Sequence, residues 1–128
     1  MVKSCLREIF GPDFSATSGV NIDFGTGCPL GRIDGTIAGR IAVEIESRVD
    51  KQIRGAVLDL VCHPLSRKLL IILPIHMTNP AKTVLMCRNI LARFLSVEHF
   101  RVILFARDTF IEEIKNAASD LGWKSGAC

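Results

Sequence analysis

Hydrophobic positions along the chain switch between a period near 3.6 and a period of 2, and each switch predicts an element. Cys5, Leu6, Ile9 and Phe10 share one side of a short helix over 2–10, which Gly11-Pro12-Asp13 ends. Apolar and polar residues alternate over 20–24, predicting a strand, and the Gly-rich stretch 25–31 predicts a loop. Residues 32–37 and 41–47 alternate again, as the two arms of a hairpin closed near Ala38-Gly39-Arg40. Val49, Ile53, Ala56, Val57, Leu60 and Val61 then fall on one helical face, and His63-Pro64 stops that helix. The run 69–73 is wholly apolar between Arg67-Lys68 and Pro74, which predicts a strand buried on both faces.

Asn79-Pro80 pairs a capping side chain with proline at the first helical position. The helix it opens carries Val84, Leu85, Cys87, Arg88, Ile90, Leu91, Phe94 and Leu95 as a mostly apolar stripe. A short buried strand over 102–105 follows. Asp108 is then expected to cap a last helix, with Phe110, Ile111, Ile114, Ala117, Ala118 and Leu121 facing inward and Gly122 at its end. The order α-β-β-β-α-β-α-β-α predicts an α/β (α+β) chain with a mixed sheet: an antiparallel meander first, then helical crossovers, in one domain over 1–128.

The hairpin carries the chemistry. In its second arm Ile41, Val43 and Ile45 point one way and Ala42, Glu44 and Glu46 the other. In its first arm Ile33 and Ile37 share a face opposite Arg32, Asp34 and Thr36. A turn over 38–40 sets Ile37 against Ile41, Asp34 against Glu44 and Arg32 against Glu46, with all charges on one face. Slipping the register by one residue scrambles both faces. Asp34 and Glu44 thus become a cross-strand pair of like charges, about 5 Å apart at Cβ. Either the arginines Arg32, Arg40 and Arg48 neutralise this cluster on a solvated face, or a divalent cation does. Mg²⁺ prefers one or two carboxylates together with water and phosphate oxygens.

Composition adds limits. The chain of 128 residues is 48% hydrophobic, with a net charge of +3 and a mean hydropathy of +0.32. That permits nucleic-acid binding without arguing for it, and a chain this apolar is also expected to pair with itself. Five widely spaced cysteines without a CxxC pair suit neither a disulfide framework nor a zinc site, and point to a reducing, cytoplasmic setting. No apolar run is long enough to span a bilayer. The loop 25–31 lacks the GK[ST] ending of a nucleotide-binding loop, so no nucleotide cofactor is expected. Cys28 has no histidine partner in view and reads as a loop thiol.

Gly31-Arg32-Ile33-Asp34, a turn, and then Ala42-Val43-Glu44-Ile45-Glu46-Ser47-Arg48 before a helix resemble the PD-(D/E)xK nuclease superfamily, over roughly residues 5–76. The resemblance implies a restriction endonuclease-like, three-layer core and a DNA endonuclease that uses Mg²⁺ or Mn²⁺. It implies Asp34 and Glu44 as metal ligands, with the backbone carbonyl of Ile45 beside them. Glu8 matches an acidic residue that some members add to the site, and Gln52 falls where members place a polar residue near it. Two departures stand out. Ile33 replaces the usual proline, a frequent variation, and Glu46 replaces the usual lysine; a minority of restriction enzymes carry Glu there and remain active, so loss of activity does not follow. Lys51 from the next helix could replace that lysine, or Glu46 could serve as general base or extra ligand. A shifted reading through Asp34, Glu46 and Arg48 fits the pattern less well. Arg32, Arg40, Arg48, Lys51 and Arg54, then Arg67 and Lys68, are candidate phosphate binders, whose affinity would fall steeply with salt. A non-catalytic nucleic-acid- or protein-binding module with a degenerate site is the alternative.

Overall fold

The run expected as a doubly buried strand lies inside a five-stranded sheet. In the computed structural model, residues 2–16, 21–49 and 51–124 are described. Helix α1 (Val2–Phe10) leads through a 3₁₀ turn into β1 (Phe14–Ser15), β2 (Gly35–Ile37) and β3 (Ile41–Glu46). Helix α2 (Lys51–Cys62), β4 (Arg67–Ile72), α3 (Pro80–Phe94), β5 (Phe100–Leu104) and α4 (Phe110–Asp120) follow. The strands lie side by side in chain order. Pairing is antiparallel through β1, β2 and β3 and parallel through β3, β4 and β5. The fold is therefore a mixed α/β sheet with four helices among the described residues.

Alternation along the strands divides the core in two. Ile37, Ile41, Val43, Leu69 and Ile71 pack with α1 and α4 on one face. Ala42, Leu70, Ile72 and Val102 pack with α2 and α3 on the other. This explains why β4 shows no polar alternation: both of its faces are covered. Asn79 caps α3 as expected, its side chain accepting from the Lys82 N–H at 3.2 Å. Trp123 ties the end of the described chain to its start. Its indole N–H donates to Asp13 at 3.0 Å, and its ring meets Phe10 edge-on at 4.8 Å.

The structure corrects the sequence reading at several points. The first strand is Phe14–Ser15, not 20–24; Val20 lies outside the described residues, and Ile22 makes only an isolated bridge to Gly31. Thr109, not Asp108, occupies the cap position of α4, and its hydroxyl bonds Glu113 instead of the backbone. Ile111 on α4 and Leu85 and Phe94 on α3 are exposed rather than inward. Lys68, a candidate phosphate binder, is only 2% exposed and donates to the His63 carbonyl. Burial lowers its pKa to about 8.

The hairpin register is Ile37 opposite Ile41 and Gly35 opposite Val43, in line with the turn over 38–40. Ala38 and Gly39 both have positive φ, and the Arg40 N–H closes the turn onto the Ile37 carbonyl at 3.0 Å. One irregularity was not expected. The Asp34 N–H also donates to the Val43 carbonyl, at 3.1 Å, so Asp34 and Gly35 both address Val43. This is the pattern of a β-bulge, in which an extra residue shifts the alternation before it. Ile33 accordingly packs with Ala42 on the α2 and α3 side, while Ile37 packs on the other.

Gly35 is the residue that lets β1 close over this bulge. A Cβ there would stand 2.6 Å from the Ser15 carbonyl oxygen and 2.8 Å from the Phe14 ring. Backbone cannot yield as a flexible side chain can, so overpacking applies. Gly35→Ala is expected to lower stability by about 1–3 kcal/mol, measured by urea unfolding; an unchanged midpoint would show that β1 is not held against this position.

Candidate active site

Glu44 and Glu46 point from β3 to the face covered by α2, so charges that alternation placed on an outer face are buried. Glu44 is 7% exposed and Glu46 is 5% exposed. Asp34 enters from the bulge beside them and is half-buried. The Asp34 N–H donates to Glu44 Oε1 at 2.9 Å, and the Ile45 N–H donates to Asp34 Oδ2 at 2.7 Å. Each acid thus takes a main-chain donor at the point where β2 stops matching β3.

Two acids cannot share a desolvated site with both ionised. Burial first, and then the Asp34 charge, push the Glu44 pKa up to about 9, so Glu44 holds a proton at neutral pH. Asp59 on α2 joins the same field. Burial and the Asp34 charge raise its pKa too, and it adds to the repulsion on Glu44. Sequence reasoning missed Asp59. It lies outside the apolar stripe of α2, and only the packing of that helix on the sheet brings it into the field of the acids.

Glu46 has a different environment. Arg48 Nε and Nη2 donate to its two oxygens at 2.9 and 2.8 Å, and the Ser47 and Arg48 N–H groups each donate at 2.9 Å. Burial alone would raise its pKa, but the bonds from Arg48 and Ser47 outweigh it and hold the carboxyl below the usual range. Arg32, expected opposite Glu46, is exposed, and Arg48 takes that place.

The remaining candidates spread out. Lys51, Gln52 and Arg54 are exposed near the start of α2, and no ion pair joins Lys51 to these acids among the described residues. Glu8 is exposed on α1, which packs on the opposite face of the sheet. Arg40 lies in the hairpin turn at the other end of β3, roughly 13 Å of extended strand from Glu44, and does not flank the acids. Ile45 turns its N–H toward Asp34. On an extended strand its carbonyl turns to the same side. A cleft of about 540 Å³ opens between α2 and α3 next to the strand ends, with Val49, Ile53, Met77 and Met86 in its wall and His76 and Lys82 beside them. Alternation in the sequence gave no sign of that cleft.

Two hard carboxylates held in contact, one of them keeping a proton to relieve their repulsion, suit a small divalent cation that would replace that proton. Among the described residues no group of three His, Cys, Asp or Glu side chains comes together as a metal site. Asp34 and Glu44 are the two side chains that could hold such an ion. Comparisons with protein families, with curated proteins and with solved structures find no match to this chain.

The Glu44 proton links the site to folding. The unfolded side chain titrates near 4.5 and the folded one near 9. The group's contribution to stability is therefore fully present below 4.5 and is lost as the pH rises toward 9. Glu44→Gln is expected to flatten this dependence and to stabilise the metal-free protein at pH 8 by about 1–3 kcal/mol. Thermal melts from pH 5 to 9 read it directly; a variant melting below wild type at pH 8 would contradict the buried-proton account.

Proposed function

We propose that this chain is a metal-dependent endonuclease that hydrolyses DNA phosphodiester bonds on a restriction endonuclease-like core. The observation that carries this reading is the Asp34–Glu44 pair, a half-buried and a buried acid that each accept a main-chain N–H from the other's strand, beside the bulge at the start of β2. Such a pair lowers the stability of the fold, and its placement makes sense as a site for positive charge.

Asp34 and Glu44 would hold Mg²⁺, with the Ile45 carbonyl on the same side. When bound there, the ion supplies charge against the developing negative phosphate and acidifies nearby water. In the reaction the oxygen of water bonds to phosphorus, one ester oxygen leaves, and a proton ends on the departing alcohol. The chain's part is positional. The two main-chain N–H donors hold Asp34 and Glu44 in fixed directions, so little reorganisation accompanies the change in charge. Arg48, Lys51, Gln52 and Arg54 are exposed, and in this reading they would meet the phosphate backbone.

Pairing of two copies would present two such sites to the two strands of a duplex. It would also cover Leu85, Phe94 and Val97, which are exposed on α3 and just beyond it. The free thiols at Cys28 and Cys62 are exposed and suit a reducing, cytoplasmic setting. No helix among the described residues is long and apolar enough to cross a membrane.

One observation favours a second reading. Glu46 stands where the resembled nucleases carry lysine, and it is bound to Arg48 instead; a non-catalytic nucleic-acid-binding module would tolerate that exchange. One assay separates the two: cleavage of plasmid, linear, single-stranded and branched DNA with Mg²⁺, Mn²⁺ or EDTA. Wild type is expected to cut only with metal. Asp34→Asn is expected to lose at least about 100-fold while melting at or above the wild-type temperature. Cutting by a folded Asp34→Asn protein at the wild-type rate would refute the assignment, and DNA binding without cutting by wild type would favour the module.

A further inference from the structure

We infer that Arg48, held in place by Glu46, is the cation that grips the phosphate to be cleaved, and that Glu46 is a positioning residue. This deepens the nuclease reading and rests on it.

Glu46 is 5% exposed, and the hydrogen bonds around it leave its carboxylate little freedom. Oε2 accepts from the Ser47 N–H, the Arg48 N–H and Arg48 Nε, and Oε1 accepts from Arg48 Nη2. A carboxylate with four donors on its two oxygens has little left for an ion or for the proton of a water. Its position on β3 therefore does not make it a third member of the acid pair. The same bonds fix the arginine. The Nε and Nη2 edge lies against Glu46 as a two-point contact, which sets the plane of the guanidinium.

A guanidinium carries five N–H donors. Two of them are spent on Glu46, which leaves about three. The Arg48 side chain is 67% exposed, so those donors are open to a ligand. The guanidinium is bonded to Glu46, which lies on the same face of β3 as Glu44 and about 7 Å along the strand, and the Asp34 charge adds to the pull on it. The exposed residue Lys51 makes no contact of this kind among the described residues. What this places together is a pair of acids suited to a cation, a fixed guanidinium with spare donors, and an open side. The ligand that satisfies all three is a phosphodiester bridging the two. A prefixed arginine needs little reordering to stabilise charge as it develops on phosphate.

Chemical rescue tests the assignment. Arg48→Ala is expected to slow metal-dependent cleavage by about 100- to 1000-fold, while the rise in melting temperature on adding Mn²⁺ stays as in wild type. Millimolar methylguanidinium should then restore cleavage by about tenfold or more, because Glu46 can seat it. With Glu46→Ala added, the same methylguanidinium should restore nothing. Arg48→Lys, which keeps charge but loses the fork, is expected to stay slow and serves as the probe if Arg48→Ala does not fold. Arg48 variants that cleave within a few-fold of wild type overturn the inference, as does equal rescue in the presence and absence of Glu46. A wild type that binds Mn²⁺ but cleaves nothing overturns the nuclease reading itself, and this inference with it.

Discussion

Strand β3 shares one edge with an antiparallel partner and the other with a parallel one, and the register of that single strand decides where every other element can pack. Its odd-numbered residues Ile41 and Val43 enter the core under α1 and α4, and its even-numbered residues Ala42, Glu44 and Glu46 face α2. A slip of one residue would drive two glutamates into an apolar core without partners, at a cost of several kcal/mol each. The turn at Ala38-Gly39 guards against that slip. Both residues take positive φ, which matches the right-handed twist of the arms, and Arg40 closes back on Ile37. The acids are thus fixed by the same pairing that builds the sheet.

Much of this was legible in the sequence, because period and punctuation are local properties. The doubly buried β4, the Asn79-Pro80 start of α3 and the pairing of Ile37 with Ile41 all follow from residues within a few positions of one another. What escaped depends on contacts between distant segments. A two-residue strand such as Phe14–Ser15 has no period to read, and it forms because the Phe14 ring and the Ser15 carbonyl close over Gly35. The bulge at Asp34 adds one residue to an otherwise regular alternation, so Ile33 was assigned to the wrong face. Asp59 lies outside the apolar stripe of α2, and nothing local in the sequence ties it to the acids. Buried acids also resemble exposed ones in a sequence, since alternation reports two faces and not which of them another layer covers.

Two glutamates separated by one residue on the same strand face show how far local partners outweigh burial. Both are almost fully inaccessible, yet Glu44 is driven up to about 9 and Glu46 is held below the normal range. Desolvation acts on both. The difference is that Glu44 meets two further acids, while Glu46 meets an arginine and two main-chain N–H groups. Glu46 is therefore not an isolated negative charge on this face. With Arg48 two residues later, the local sum is close to neutral and a cation still stands beside the acid pair.

The position of the pair within the topology completes the argument. The loop after β3 and the loop after β4 leave the sheet at the same end, because the two strands are parallel. In sheets of this kind the ends of parallel strands open into a crevice that the crossover helices flank. Here that crevice is the cleft between α2 and α3, and the turn Ser47-Arg48-Val49 runs from the acids to its wall. The instability of an acid pair there is offset by the packing of β3 and β4 on both faces, which can carry a locally unfavourable site without losing the fold.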